Sequence, residues 1–425
     1  METGDRVRIV WKGKTIEGIV MPQMNKEKIV LKLSSGYNVG LDRKNIEKME
    51  IIGKEKLGRP KEAGSRAKKA EVKILGCGGT ITSKIEYKTG AVYPFIGTEE
   101  LSSAFPEINE IATIDARNVF SILSEDISSE HWEIMATEIK KEIEDGADGI
   151  VVLHGTDTMG YSCAAMAFAI QNLPVPVVFV GAQRSADRPS SDNKMNILNA
   201  VFTAKQDVGE VVLVMHGSSS DDFGFVHRGV KVRKMHTSRR DAFKSINIPP
   251  LAKVDYRTKK FEKMFEYKKR KIGGLRFDNK FSDEVALVYF YPGIKPKLFD
   301  SLSDYRGIVI AGTGLGHVST NPFNDRHTKP IIGKIKELVE CDVVVAMASQ
   351  CINGRINMNV YTSGRILRET GVIGHLADWT PETAFVKMCW VLGHEKNAKK
   401  AKEEMMENLV GEISERSLYL EEEHE

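Results

Sequence analysis

From residue 71 onward, runs of consecutive apolar residues alternate with longer stretches of helical periodicity. The apolar runs are 72–75 (with Lys73 as its one charged residue), 149–153, 175–180 and 211–215, and the helical stretches are near 129–145, 160–172 and 193–206. Strands that are apolar at every position are buried on both faces, which is typical of a parallel sheet covered by helices. The pattern predicts a larger α/β domain over 71–270.

A second, smaller α/β unit is predicted over 283–425. The charged stretch 255–282 precedes it and is interpreted as an excursion and inter-domain connection. The predicted strands of the smaller unit are 285–290, 307–311 and 342–347, with helices near 325–339, 381–391 and 395–410. The acidic end 421–425 is expected to fray.

The first 52 residues have a different texture. Short β-rich runs at 7–11, 15–20, 28–33 and 37–41 are separated by Gly, Asn, Lys and Ser. This pattern predicts a small SH3-like β-barrel, a closed sheet that leaves few exposed edges. Residues 53–70, rich in Gly, Lys and Arg and without apolar periodicity, are interpreted as a linker.

Composition narrows the class of protein. The chain has 425 residues, of which 41% are hydrophobic and 28% charged, as in ordinary globular proteins. It contains no run of about 20 apolar residues and no secretory h-region at its start. Its five cysteines are scattered and form no CxxC pair, so we expect reduced thiols, a cytoplasmic protein and no zinc site.

Charge is distributed unevenly along the chain. Residues 1–70 hold 17 Lys and Arg against 9 Asp and Glu, a net charge of +8, whereas the whole chain is +3. The basic end indicates either contact with an anionic partner or an ordinary solvated surface.

The first predicted strand of the larger domain ends in a glycine-rich turn that contains Thr80. A dinucleotide-binding loop is one interpretation, but the third glycine of that fingerprint is replaced by Ile81. In the other interpretation, the turn displays the Thr80 hydroxyl as a nucleophile that needs a nearby base.

Two further segments carry candidate chemistry. In the turn after the strand at 149–153, Asp157 adjoins Thr156 and is able to hold a cation, although Thr156, Asp157 and Thr158 all suit a helix N-cap as well. The basic segment 228–237 by itself indicates a basic surface loop or a phosphate site.

Together these motifs resemble the L-asparaginase family of amidohydrolases. The matching motifs are GGTI and HGTD, each after an apolar strand, with Ala182-Gln183-Arg184, Asp192, Asn196 and the glycine loop 312–316. The resemblance covers about residues 71 to 400 and implies a two-domain α/β fold with sites at dimer interfaces.

The resemblance also implies roles for individual residues. Thr80 is expected to be the acyl acceptor, and Tyr93 the tyrosine of the flap above it. Thr156, Asp157 and Lys234 are expected to form the activating relay. Lys234 is preferred to Lys231 because of its spacing to His236-Thr237. A lysine can act as a base only if burial or its neighbours lower its pKa.

Two positions depart from the family pattern. The family's Ser-Gln-Asp substrate motif is present here as Ser124-Glu125-Asp126, and His317 stands where asparaginases often have asparagine. Ser124 is expected to bind the substrate α-carboxylate, and Glu125 suits the α-ammonium group. Both departures argue against simple asparagine specificity.

One branch of the family joins this body to a small N-terminal β domain: the D subunits of archaeal Glu-tRNA(Gln) amidotransferases. Residues 226–243 closely resemble that branch. The resemblance implies release of ammonia from Gln or Asn. A GatE-like subunit would phosphorylate the glutamate of Glu-tRNA(Gln) and accept the ammonia.

The same resemblance implies a homodimer of this chain within a heterotetramer, with no membrane association. We expect no cofactor in this chain. ATP and Mg²⁺ are expected at the partner subunit, because this sequence has no P-loop motif.

Two other functions stay open. A free-standing cytosolic L-asparaginase would need neither the N-terminal module nor Glu125. A non-catalytic scaffold or RNA-binding protein would use the basic end, but Trp11 and Tyr37 are few aromatics for base stacking.

Overall fold

The computed structural model describes residues 3–21, 27–33, 37–54, 70–79, 83–85, 92–94, 97–184, 190–271 and 273–419. Residues 54, 83–85 and 92–94 are described by their backbone alone. Most of the predicted linker (55–69), Thr80 and the acidic end 421–425 lie outside the described residues.

The N-terminal unit is a five-stranded antiparallel sheet in the order β4-β3-β2-β1-β5. Its strands are β1 (Asp5–Trp11), β2 (Lys14–Val20), β3 (Lys28–Lys32), β4 (Asn38–Asp42) and β5 (Ile46–Lys54). Along β1 the buried residues Val7 and Ile9 alternate with exposed ones, and they pack with Ile29, Leu31 and Leu41 in a small core. The prediction of a small N-terminal β unit is confirmed.

The larger unit contains fourteen strands and five α-helices among the described residues. The strands are β6 (Val72–Gly76), β7 (Ser83–Ile85), β8 (Val92–Pro94), β9 (Ile114–Asn118), β10 (Gly149–Leu153), β11 (Ile170–Gln171), β12 (Val177–Val180), β13 (Val211–His216), β14 (Gly224–Arg228), β15 (Val232–Lys234), β16 (Phe243–Ser245), β17 (Ala252–Asp255), β18 (Lys260–Lys263) and β19 (Arg276–Phe277). The helices are α1 (Thr98–Ala104), α2 (Ile108–Ile111), α3 (Ser129–Glu144), α4 (Met159–Ala169) and α5 (Asn193–Ala204).

The main sheet of this unit has eight strands in the order β18-β17-β14-β13-β12-β10-β6-β9. The five strands from β13 to β9 are parallel, as predicted, whereas β14, β17 and β18 extend the sheet antiparallel. The segment 255–282, interpreted from the sequence as an excursion and inter-domain connection, contains two short strands, β18 and β19. The sequence of β18, KFEK, is charged because the strand forms a sheet edge.

Helices cover both faces of the main sheet. Residues of α3 and α4 pack on one face, and residues of α1, α2 and α5 pack on the other. Helix α4 is buried nearly all round, with nine of its eleven residues in the interior. The chain therefore places two apolar layers around a central sheet, which is the α/β arrangement predicted from the sequence.

The smaller unit is a parallel three-stranded sheet with four α-helices among the described residues. Its elements are β20 (Val285–Tyr289), β21 (Gly307–Gly312), β22 (Val344–Ser349), α6 (Ile332–Glu340), α7 (Thr362–Glu369), α8 (Pro381–His394) and α9 (Ala398–Met406). The helix predicted at 325–339 begins only at Ile332, and α7 was not predicted. The rings of Phe168 in α4 and Trp390 in α8 stack 5.9 Å apart, so the two α/β units share a core.

Strand register places four loops at one edge of the main sheet. Gly76 pairs with Leu153 and Asn118, and Leu153 pairs with Val180, so β6, β9, β10 and β12 end level with one another. After β6 the chain adds β9 on one side and β10 on the other, and ligands of open α/β sheets bind at such a switch point. Within the described ranges, no helix has the length and apolar character needed to cross a membrane.

Candidate active site

Two glycines after β6 bring three loops into contact. Gly78 and Gly79 have φ of +91° and +87°, a conformation that side chains other than glycine rarely adopt. A Cβ on Gly78 would lie 2.1 Å from the backbone oxygen of Ile122, and one on Gly79 would lie 2.5 Å from Cα of Gly155. The space beside this turn is thus filled by neighbouring backbone, and Thr80 follows at once.

Lys234 contacts the turn after β10 through two hydrogen bonds. Its Nζ donates to Oγ1 of Thr156 at 2.8 Å and to Oδ1 of Asp157 at 2.8 Å, although 78 residues separate Lys234 from Thr156. Thr156 is buried, the Lys234 side chain is 15% exposed, and that of Asp157 is 69% exposed. The structure thus brings three of the residues predicted for the relay together.

The protonation state of Lys234 decides what this arrangement can do. An ammonium group only donates hydrogen bonds, so while it is charged it holds Thr156 by its oxygen and leaves the hydroxyl hydrogen free. A neutral amine has a lone pair and can accept that hydrogen instead. Asp157 is placed to stabilise the charged form of Lys234 by Coulomb attraction.

The predicted substrate residues lie in a short 3₁₀ turn, Ser124–Asp126. Ser124 is buried beside Gly155, where a Cβ on the glycine would lie 2.7 Å from Cβ of Ser124, whereas Glu125 is exposed. The Thr158 hydroxyl donates to the backbone oxygen of Ser124 at 2.6 Å. Thr158 therefore fastens the turn to the start of α4, a role that the sequence analysis missed.

The N-cap interpretation of the segment 156–158 is correct for the location of the helix start but not for the hydrogen bonds of the side chains. Thr158 is the N-cap residue of α4, but its side chain makes no capping hydrogen bond. The hydroxyl oxygen of Thr156 accepts from Lys234 instead. Hydroxyl groups at both positions thus bind other segments of the chain.

The basic segment 228–237 is not a free surface loop. Four of its basic residues each contact a carboxylate group; the pairs are Arg228–Glu210, Lys231–Asp378, Arg233–Glu382 and Lys234–Asp157. Lys231 is fully buried. The interpretations as a basic surface loop or a phosphate site are therefore wrong for these side chains, since their charges are matched within the protein.

The His154 side chain supports the turn that contains Gly155 and Thr156. Its ring is fully buried, and burial lowers the pKa of His154 to about 4, so the ring is neutral near pH 7. Nδ1 lies 2.7 Å from the carbonyl oxygen of Gly155, which can only accept, so the geometry places the ring hydrogen on Nδ1. The side chain thereby fixes the backbone next to Thr156.

A hydrogen-bond network after β12 also supports the turn that contains Thr156. Asp192 accepts hydrogen bonds from the backbone N–H groups of Gln183 and Arg184 at 3.0 and 2.9 Å, and from the Asn196 amide at 2.9 Å. The same amide donates to the backbone oxygen of Gly181 at 3.0 Å. A Cβ on Gly181 would lie 2.7 Å from Cγ2 of Thr156, so this network supports Thr156 from behind.

The other predicted site residues are less fully placed. Thr80 lies outside the described residues, and Tyr93 is described only by its backbone in β8, opposite Lys84. The ring of His317 packs edge-on against that of Tyr361, with centroids 5.4 Å apart. Within the described ranges, no group of three or more His, Cys, Asp or Glu residues is arranged to hold a metal ion.

Comparison with protein families matches most of the chain. Residues 71–266 match the N-terminal asparaginase domain, residues 284–406 match the glutaminase/asparaginase C-terminal domain, and residues 1–52 match the GatD N-terminal domain.

Individual proteins agree with these matches. The glutamyl-tRNA(Gln) amidotransferase D subunit of Sulfolobus acidocaldarius is 47% identical over 420 residues, covering 97% of this chain and 92% of the relative. The corresponding D subunit of Pyrococcus furiosus is 47% identical over 429 residues, covering 97% and 95%.

Solved structures of asparaginases resemble the body of the chain. The thermostable L-asparaginase from Thermococcus kodakarensis superposes with a TM-score of 0.71 at 27% identity, covering 81% of this chain and 99% of the neighbour. L-asparaginase I from Vibrio cholerae superposes with a TM-score of 0.68 at 27% identity, covering 81% and 98%.

Proposed function

The chain belongs to the family of glutamyl-tRNA(Gln) amidotransferase D subunits, and we propose on that premise that its asparaginase-type body releases ammonia from glutamine or asparagine. The ammonia would serve a partner subunit that converts Glu-tRNA(Gln) to Gln-tRNA(Gln). The free-standing asparaginase alternative is not supported, because residues 1–52 match a domain of the D-subunit family. The solved asparaginases cover only 81% of this chain.

The contact of Lys234 with Thr156 and Asp157 is the observation that carries the proposal. At the switch point of the sheet, the amine of Lys234 lies 2.8 Å from a hydroxyl and 2.8 Å from a carboxylate. Amide hydrolysis through a hydroxyl nucleophile needs such a path for its proton.

In the proposed reaction, Oγ1 of Thr80 attacks the side-chain amide carbon of the substrate. The hydroxyl proton passes through Thr156 to neutral Lys234, and Asp157 stabilises the ammonium that forms. The C–N bond then breaks, and the proton returned from the relay leaves with the nitrogen as ammonia. Water attacks the resulting ester, which releases the amino acid and restores the Thr80 hydroxyl.

Substrate recognition is assigned to the turn Ser124–Asp126. Ser124 would bind the α-carboxylate, and Glu125 the α-ammonium group. Support comes from the position of the turn, whose Ser124 packs against Gly155, the residue directly before Thr156. Tyr93 would close over the bound amide as part of a flap.

The remaining parts of the proposal concern partners. A GatE-like subunit would bind ATP and Mg²⁺, phosphorylate the glutamate of Glu-tRNA(Gln) and accept the ammonia. This chain would act without a cofactor, as a homodimer within a heterotetramer in the cytoplasm.

The deciding experiment measures ammonia release from glutamine and from asparagine by the purified chain. Each assay is run with the purified chain by itself and with the chain plus the GatE-like subunit, Glu-tRNA(Gln) and ATP. We expect release to rise sharply only with the full set. Fast asparagine turnover that is indifferent to the additions would contradict the proposal and favour a free asparaginase.

A further inference from the structure

The segment that ends in Lys234 is attached to the smaller α/β unit by three polar contacts in close succession. They are Thr383 Oγ1 to the backbone oxygen of Val230 at 3.0 Å, Lys231 Nζ to Asp378 Oδ1 at 2.8 Å, and Arg233 Nη2 to Glu382 Oε1 at 3.0 Å. All three partners lie in or just before the start of α8, close in sequence to residues of the core that the two units share. The relay lysine is thus adjacent to an inter-domain seam.

The middle contact is a buried ion pair. Lys231 has no exposed surface and Asp378 is 4% exposed. Nζ of Lys231 also donates to the backbone oxygen of Asp378 at 3.2 Å, and the backbone N–H of Ser414 donates to its Oδ1 at 2.8 Å. Burial acts to raise the pKa of Asp378, but the Lys231 charge and these hydrogen bonds hold it below its usual value. Because separating the two side chains would leave an unpaired buried charge, the ion pair holds Lys231 and Asp378 in place relative to each other.

Lys231 and Lys234 are joined by a short, held piece of backbone. Lys231 ends the 3₁₀ turn Gly229–Lys231, and β15 begins at the next residue and ends at Lys234. The backbone oxygen of Lys231 accepts from the N–H of Ile246 at 2.7 Å. Three residues of strand span about 10 Å, so a displacement of Lys231 is carried directly to Lys234.

We propose that Asp378 is a positioning residue for Lys234. Through its ion pair with Lys231, the smaller unit holds β15 where Nζ of Lys234 reaches both Thr156 and Asp157. The effect on ammonia release rests on the proposed function, whereas the effect on the placement of Lys234 does not. A misplacement of about 1 Å in a catalytic group can lower turnover about 100-fold.

The chain offers a matched control in a second buried ion pair. Lys387 donates to Glu412 at 2.6 Å, both side chains have no exposed surface, and both lie in the same unit. Among the described hydrogen bonds and ion pairs of Lys387 and Glu412, none is with residues 228–234, and Glu412 acts on Lys231 only by Coulomb attraction without a hydrogen bond. Breaking this pair removes a similar buried interaction while it leaves every hydrogen bond and ion pair of the segment 228–234 in place.

The test compares Asp378→Asn with Glu412→Gln in the full chain assembled with its partner. The measurements are kcat and KM for ammonia release, the Tm, and the rate at which limiting acetic anhydride acetylates Lys234, read by peptide mass spectrometry. We expect both variants to lower the Tm. We expect only Asp378→Asn to lower kcat, by about 100-fold, with KM nearly unchanged. We also expect acetic anhydride to acetylate Lys234 several times faster in this variant than in the wild-type chain.

A double variant, Lys231→Met with Asp378→Leu, separates positioning from stability. Apolar side chains remove the cost of an unpaired buried charge, so we expect the Tm to recover while kcat stays low. Recovery of kcat together with the Tm, or equal effects of Asp378→Asn and Glu412→Gln on kcat and acetylation, would overturn the proposal. If the unmodified chain releases no ammonia, the proposed function fails, while the acetylation rates still decide the role of Asp378.

Discussion

The hydroxyl of Thr158 donates a 2.6 Å hydrogen bond to the backbone oxygen of Ser124, which joins the substrate turn to the N-cap residue of α4. The same end of α4 follows directly on Thr156 and Asp157, the relay partners of Lys234. The turn assigned to substrate binding and the relay are therefore directly connected, so we expect a displacement of the turn to shift the relay residues as well.

Replacement of Thr158 tests this coupling. Thr158→Val keeps the shape of the side chain but removes the bond to Ser124, so we expect KM to rise several-fold with a smaller change in kcat. The control is Thr203→Val in α5, whose buried hydroxyl has no hydrogen-bond partner among the described residues and should leave both constants unchanged. Equal effects of the two variants in steady-state kinetics would remove Thr158 from the site.

Removal of the Lys234 amine should abolish proton transfer. A general acid–base group contributes about 10²–10⁴-fold to turnover, so we expect Lys234→Met to lower kcat by at least about 100-fold. Lys244→Met on the neighbouring strand β16 is the control, because Lys244 is half exposed and lies 3.5 Å from Asp241. The measurement is ammonia release at matched concentrations of folded protein. A Lys234→Met variant as active as Lys244→Met would exclude Lys234 as the base.

The identity of the nucleophile can be read from a trapped intermediate. We expect rapid acid quenching during turnover to leave one acyl group on the tryptic peptide 74–84, which contains Thr80, and tandem mass spectrometry to place it there. Thr80→Val should lose both the ester and ammonia release while it keeps the wild-type Tm. An ester on the peptide 142–184 would instead make Thr156 the acyl acceptor.

Specificity is expected to depend on Glu125. Glu125→Gln restores the neutral amide of the asparaginase pattern, so we expect the ratio of kcat/KM for glutamine to that for asparagine to shift toward asparagine. The neighbouring Asp126→Asn removes a charge from another exposed residue of the same turn and serves as the control. If both variants give the wild-type ratio, Glu125 plays no part in specificity.

Two buried histidines should make the fold sensitive to acid. Burial lowers the pKa of His154 to about 4 and that of His227 to about 3, whereas both have a pKa near 6.5 when unfolded. The unfolded chain therefore binds more protons below pH 6.5, and stability falls as the pH falls, by up to about 1.4 kcal/mol per histidine per pH unit.

The prediction is checked by following the Tm from pH 7 to pH 4.5. Wild-type protein should lose stability steadily over this range, and His227→Gln should lose less because one of the two groups is gone. His236→Gln is the control, since His236 is exposed on the surface. Parallel curves for all three proteins would exclude His227 as a source of the acid sensitivity.

Much of the fold could be predicted because its central strands are mostly apolar, as in 149–153, where all five residues are buried. The strand Ile114–Asn118 was missed because Asp115 and Arg117 interrupt its apolar pattern. Their charges are paired with Lys73 and Glu142 in the folded chain, a relationship that no local pattern contains.

The candidate site shows the same division. The spacing to His236-Thr237 distinguished Lys234 from Lys231, and the structure places Lys234, not Lys231, beside Thr156. The ion pair of Lys231 with Asp378 was missed because it joins two domains across a large separation in sequence. Sequence patterns locate residues at strand ends, whereas contacts between domains depend on how the domains pack.

The N–H of Ser414 on the carboxylate of Asp378 has a consequence for biosynthesis. A ribosome completes Thr156 and Lys234 long before it reaches Ser414, so these residues are synthesised before the inter-domain seam can gain this hydrogen bond. If Asp378 positions Lys234, an unfinished or C-terminally truncated chain would be a weak hydrolase. If the proposed function holds, such fragments would then release little ammonia before the chain is complete.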